Sequence, residues 1–226
     1  MRLLSTQIGG RHMNKFTRFI VLMIVIIALG QIMKPGIAND LEPLTRDQML
    51  SIAQQIANYT WTCREANRVA PCVSVPYECD FNAGDRVTGI AYDWGGMDDV
   101  DRFRDKLAQG QAAGSHSRHG VTDCTTGIDC SGYVSRCWGQ TRKYGTWTIG
   151  EISAKPKYNW YSDMKPGDAL VKPGSHIVLF VAYNANGTPI VYEAAGSHGK
   201  VILNDWSPWS RYRGYYAIQY RMVVED

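Results

Sequence analysis

Met49, Ile52, Ala53, Ile56 and Ala57 recur at intervals of three and four residues, the period of a helix with one apolar face, and Thr45 stands where an N-cap belongs. The pattern predicts a helix from Thr45 to about Thr62 that packs on the rest of the chain. Residues 63 to 84 show no clear period and carry Cys63, Cys72, Cys79, Pro71 and Pro76, which predicts an irregular, stapled connector. Gly89 to Gly96 is turn-rich and aromatic, Asp98 to Leu107 reads as a short charged helix, and Ala108 to Gly127 as a loop rich in Gly, Ser and His. Tyr133, Val134 and Cys137 then fall at helical spacing, so a helix over Cys130 to Trp138 is expected, with Cys130 at or near its N-terminus.

Beyond a loop rich in Lys, Tyr and Trp the pattern turns to strands: Ala169 to Val171, His176 to Tyr183, Pro189 to Ala194, Lys200 to Leu203 and Tyr215 to Val224. Apolar residues occupy both parities of Ile177 to Tyr183, the mark of a central strand covered on both faces. Helices first and an antiparallel sheet afterwards predict an α+β domain.

The start of the chain changes the domain reading. Arg11, Lys15 and Arg18 precede the apolar run Phe19 to Leu29, and small residues follow at Gly36 and Ala38, the order of a secretory signal peptide. The run is shorter than the roughly 20 residues that span a bilayer, so cleavage after Ala38 is favoured over an uncleaved anchor. The expected organisation is a signal peptide over 1–38, a helix and cysteine-rich extension over 39–83 and a catalytic domain over 84–226. The body is exported, to the periplasm or the extracellular space, with membrane contact through the leader only. Met1 and Met13 both remain open as the start.

Charge follows the leader. The 226 residues carry 24 basic and 21 acidic side chains. Residues 1–38 hold five of the basic ones (Arg2, Arg11, Lys15, Arg18, Lys34) and no acidic ones. The remainder has no basic excess, which argues against a nucleic-acid partner.

An exported chain keeps its cysteines oxidised, so Cys63, Cys72, Cys79, Cys124, Cys130 and Cys137 are first disulfide candidates. If one is a nucleophile, five remain, and at least one more is a free thiol or bridges to another molecule. The first three lack zinc-site spacing, which favours a local disulfide of undetermined pairing. Cys124 reaches Cys137 only if the intervening loop folds back.

A thiol reacts as thiolate, and a helix N-terminus favours that charge. Cys130 lies in Gly127-Ile128-Asp129-Cys130-Ser131-Gly132, where small Gly132 leaves room for a substrate backbone. Lys172-Pro173-Gly174-Ser175 then presents His176 at the head of the most apolar strand, where it can pair with the cysteine as its base. Taken singly, Cys130 is as readily half of a disulfide, and His176 a strand cap.

The ordered set Tyr92-x-Trp94-Gly95-Gly96, Asp129-Cys130-Ser131-Gly132, Pro166-Gly167-Asp168 and His176 opening a hairpin resembles the NlpC family of bacterial cell-wall cysteine peptidases. The likeness covers roughly residues 84 to 195. It implies a papain-like fold, with N-terminal helices packed on an antiparallel β-sheet. It also implies thiol-protease hydrolysis of amide bonds in peptidoglycan stem peptides, and no metal or organic cofactor. By position, Cys130 is the nucleophile and His176 the general base and acid. The resemblance further implies that Tyr92 helps the oxyanion or substrate and that Asp129 contacts a substrate amine, with Ser131 beside them.

The third catalytic position departs from the family, which places His, Asn or Gln where Val191-Tyr192-Glu193-Ala194 stands. Glu193 is the candidate, with a solvent-facing rim residue as its competitor. If it lies directly opposite His176, the hairpin loop is Tyr183 to Asn186. If Asn186-Gly187 makes a two-residue turn, Glu193 faces Phe180, about 13 Å along the strand from His176. The first register is preferred, because a carboxylate in an apolar strand otherwise lacks a partner. His116 and His119 with Cys124 are read as solvated loop residues rather than metal ligands, and His198 as exposed. Trp160, Trp206, Trp209, Tyr161 and Tyr212 either line a sugar or peptide cleft or pack in core and rim. Two other functions stay open: an amidase or acyltransferase toxin acting on a non-wall amide, and a non-enzymatic wall-binding protein.

Overall fold

The computed structural model describes residues 41–70, 72, 77–155 and 161–225. The expected signal peptide, Pro71, Pro76 and Trp160 lie outside the described residues. Among the described residues no helix is long and apolar enough to cross a membrane.

Strand β1 (Leu44–Thr45) leads straight into helix α1 (Arg46–Asn58). Thr45 Oγ accepts the Gln48 N–H at 3.2 Å and Gln48 Oε1 accepts the Thr45 N–H at 2.9 Å, a reciprocal cap. The helix stops at Asn58, short of the expected Thr62. In Thr60-Trp61-Thr62 the indole is buried between two exposed threonines, a period of two that suits strand β2 (Thr60–Thr62) paired with β3 (Arg86–Thr88). Asp99 caps α2 (Val100–Ala108). The expected loop after it contains a short parallel pair, β4 (Ala112–Ala113) with β5 (Thr125–Thr126). Helix α3 (Cys130–Cys137) follows.

The remainder is β6 (Ser153–Ala154), β7 (Ala169–Lys172), β8 (His176–Tyr183), β9 (Pro189–Ala195), β10 (Lys200–Asn204), β11 (Tyr216–Tyr220) and β12 (Val223–Val224). Strands β6 to β11 form one sheet in the order β10-β9-β8-β7-β11-β6, antiparallel throughout. The single strand expected over 215–224 is divided, because the chain turns after Tyr220 and β12 leaves to pair in parallel with β1. Among the described residues, three helices and this sheet make an α+β architecture.

Both faces of the sheet are covered. Ile177, Leu179, Tyr192 and Ala194 pack on the side of Met49, Ala53, Ile56, Tyr133 and Val134, contributed by α1 and α3. Leu170, Val178, Phe180 and Val191 face the other way, onto Met164 and Tyr212. Full burial of each such aliphatic side chain contributes about 1.5–3 kcal/mol. The Pro166-Gly167-Asp168 turn docks both helices. Arg46 of α1 donates to Pro166 O at 2.6 Å and to Asp168 Oδ1 at 2.9 Å, and the indole N–H of Trp138, just past α3, donates to Gly167 O at 2.9 Å. Residues 41–226 are one compact unit.

Candidate active site

Cys130 is the first residue of α3, and Asp129 is its N-cap. Asp129 Oδ1 accepts the Gly132 N–H at 2.7 Å and the Ser131 hydroxyl at 3.0 Å, while Oδ2 accepts the Gly95 N–H at 3.0 Å and the ammonium of Lys143. The cap leaves the N–H of Cys130 without an intrahelical acceptor, pointing out of the helix end. The space at Gly132 is not for a substrate, as the sequence suggested. A Cβ there would lie 2.2 Å from the carbonyl oxygen of Gly96, so the helix start is pressed against the chain's own Tyr92–Gly96 segment. Asp129 N–H donates to the same oxygen at 3.2 Å.

His176 opens β8 and lies within electrostatic reach of the Cys130 side chain. Its Nε2 is committed to Glu193 Oε2 at 2.9 Å, which leaves Nδ1 outside that pair. The register is neither of the two expected. Leu179 faces Tyr192, so the next rung sets Glu193 level with Val178, two residues from His176 on the same face of the sheet. A bulge between Phe180 and Ala182 and a loop over residues 184–188, closed by Asn184, replace the expected turns. The pair is therefore diagonal, a separation that long side chains bridge.

Glu193 is fully buried and each of its oxygens has two donors. Oε1 accepts Asn204 Nδ2 at 2.6 Å and Arg211 Nη1 at 2.7 Å; Oε2 accepts His176 and Arg211 Nη2 at 2.8 Å. Burial works against its charge, but the bonds from His176, Arg211 and Asn204 outweigh it and hold the carboxyl down at about 2. Burial likewise opposes a charge on His176, yet its interactions with Cys130 and Glu193 push the imidazole up to about 9. The ring is thus cationic across the neutral range.

Tyr92 lies within electrostatic reach of Cys130. Burial first, and then the charges of Cys130, Asp129 and Asp93, push its phenol up, so it stays a neutral O–H donor. A cavity of about 460 Å³ opens on Cys130, Asp129 and Ser131 and has Trp94, Trp147 and Lys143 in its wall. Trp147 is 77% exposed and lies over the turn before His176. Gly174 sits there at φ +70°, and a Cβ would come within 2.6 Å of the indole, so glycine serves both the turn and the contact.

The other candidates are placed elsewhere. His116 is partly exposed and bonds Asp80 at 3.0 Å, and His119 stacks on Tyr77 with ring centroids 3.9 Å apart. Cys124 is joined to Cys72, neither a local partner nor Cys137, which is a buried free thiol. Among the described residues no cluster of His, Cys, Asp and Glu is arranged to hold a metal ion. His198 is exposed. Tyr161 and Trp209 stack at 5.1 Å beside a separate cavity, Tyr212 is buried, and Trp206 is 60% exposed; none of them lines the cavity at Cys130.

Arg211, Asn204, Lys143 and Trp147 were missed in the sequence. Asn204 follows Glu193 by eleven positions and Arg211 by eighteen, joined to it only by the β9–β10 hairpin and a 3-10 turn, so no local spacing announces them. No protein-family model and no curated protein matches the chain.

Proposed function

We propose that the chain is an exported, papain-like cysteine peptidase that hydrolyses an amide bond in peptidoglycan stem peptides. The observation that carries it is the row Cys130, His176, Glu193: a sulfur at a helix N-terminus, an imidazole within its electrostatic reach, and a buried carboxylate bonded to Nε2 of that ring. A base beside the nucleophile and oriented by a third group is what acyl transfer through sulfur requires.

Cys130 Sγ attacks the amide carbonyl carbon, and charge gathers on the carbonyl oxygen, within reach of the Cys130 N–H and the Tyr92 hydroxyl. His176 gives its proton to the leaving amine as the C–N bond breaks, which leaves a thioester on Cys130. The neutral ring then takes a proton from water, whose hydroxide displaces the thiolate and frees the acid. Glu193 keeps Nε2 protonated so that Nδ1 faces the reaction. Export draws support from the leader pattern and from the Cys72–Cys124 disulfide. The wall peptide is the substrate that the NlpC resemblance points to.

Lys143 favours a second reading. Its ammonium occupies the Asp129 oxygen that a substrate amine would use, which suits an amide substrate without a free amine at that place, outside the wall. Digestion of purified peptidoglycan with the chain lacking residues 1–38, read by mass spectrometry, decides between them. New amine termini that vanish with Cys130→Ala support the wall reading. No new termini, or the same termini from the variant, overturns it.

A further inference from the structure

The structure holds one closed disulfide, Cys72–Cys124. Cys63 and Cys79, which flank Cys72 in the sequence, have their sulfurs 4.0 Å apart, and neither is bridged. The backbone holds them there independently of any bond between them. Cys63 N–H donates to Asp85 O at 2.9 Å, Gly84 N–H donates to Cys63 O at 2.8 Å, and Cys79 N–H donates to Arg68 O at 2.6 Å. A disulfide needs about 2.05 Å between sulfurs, so the two must approach by about 2 Å to bond.

We propose that Cys63 and Cys79 form a second disulfide, closed by exchange with a donor disulfide. Cys79, the more exposed of the two, attacks one sulfur of the donor as thiolate and expels the other as a donor thiolate. Cys63 then attacks the Cys79 sulfur of this mixed disulfide, and the second donor thiolate leaves. The protein gives up two protons and two electrons, and the donor disulfide becomes two thiols.

Three observations favour this over a reactive dithiol. The Cys72–Cys124 bridge already places this part of the chain where disulfides persist. Burial pushes the Cys63 thiol up to about 12 and raises Cys79 too, so the folded pair is a poor redox dithiol and the exchange runs through a small thiolate fraction. The segment that the two bridges would staple also carries contacts. Asp80 bonds His116, Tyr77 donates to Gly114 O, and Phe81 meets Trp61 edge-on with ring centroids 5.1 Å apart. His116 in turn neighbours Tyr92, so the bridge would fix one wall behind the candidate active site. With both bridges closed, the thiols that remain are Cys130 and the buried Cys137.

The proposal stands whether or not the chain is a peptidase, and its test leaves out the candidate nucleophile. The Cys130→Ala protein is incubated with oxidised glutathione, denatured with iodoacetamide and weighed intact. One adduct per chain is expected, on Cys137. Digestion after Glu, Lys and Arg should yield peptide 47–64 linked to peptide 79–86, separate from the linked pair that carries Cys72 and Cys124. Any other adduct count, or Cys63 or Cys79 joined to a different peptide or to glutathione, overturns the proposal.

Discussion

His176 and Glu193 are not opposite one another in the hairpin, yet the ring nitrogen and the carboxylate meet at 2.9 Å across a diagonal of two adjacent strands. Because the carboxylate is buried, its charge acts on the imidazole with little screening.

Glu193→Gln keeps the shape and removes the charge. The alkaline limb of kcat/KM, set near pH 9 by the loss of the His176 proton, should then move to lower pH by at least about one unit, the lower end of what a close opposite charge does. A pH profile on any amide substrate that the protein cleaves checks this. An unmoved limb would show that Glu193 does not set the charge of the ring.

Much of this site was legible because helix and strand periods are local. Cys130 could be placed at a helix start and His176 at a strand start from a few neighbours each. The register between β8 and β9 was not legible, because a bulge at Phe180–Ala182 and the five-residue loop closed by Asn184 depend on contacts along the whole hairpin. Helix α1 was overextended for a similar reason. Thr60-Trp61-Thr62 has its strand partner at Arg86–Thr88, and only that pairing separates it from the helix before it. Gly132 was read as space for a substrate because the approach of Gly96 comes from more than thirty residues away.

Cys130 is one of the two groups that raise His176, so its removal should show on the ring itself. In the unmodified protein, nitrogen NMR of His176 should report an imidazolium up to about pH 9. In Cys130→Ala the transition should occur at lower pH, because the favourable interaction with the sulfur is gone. The same shift governs stability. A folded value raised from 6.5 to about 9 gives stability that is complete below about 6.5 and lost as pH rises through 9. Urea unfolding between pH 7 and 10 should thus show a smaller alkaline loss for the variant. Equal losses in the two proteins would count against an interaction between sulfur and ring.

Gly132→Ala tests the seat of the helix N-terminus. The new methyl would overlap the Gly96 carbonyl, so one of two packed backbones must move, at a cost of about 3 kcal/mol, the upper part of the range for overpacking. Gly150→Ala is the control, since nothing lies within 4 Å of a Cβ there, and its effect should stay within about 0.5 kcal/mol. Urea midpoints compare the two. Similar stabilities would mean that the first turn of α3 is not pinned by Gly96.

Arg211 grips Glu193 with two parallel hydrogen bonds, and its side chain is 33% exposed while the carboxylate is not exposed at all. Arg211→Ala should cost about 3 kcal/mol, since it leaves a buried carboxylate without its permanent cation. The ring should respond in the opposite sense to Glu193→Gln. With no guanidinium to offset it, the Glu193 charge holds the His176 proton more tightly, and the alkaline limb of kcat/KM should move to higher pH. Arg211→Lys restores a positive charge but not the planar pair of donors, so it should return the limb towards its original position while recovering only part of the lost stability. If Arg211 only stiffened the fold, Arg211→Ala would lower the unfolding midpoint and leave the limb where it was.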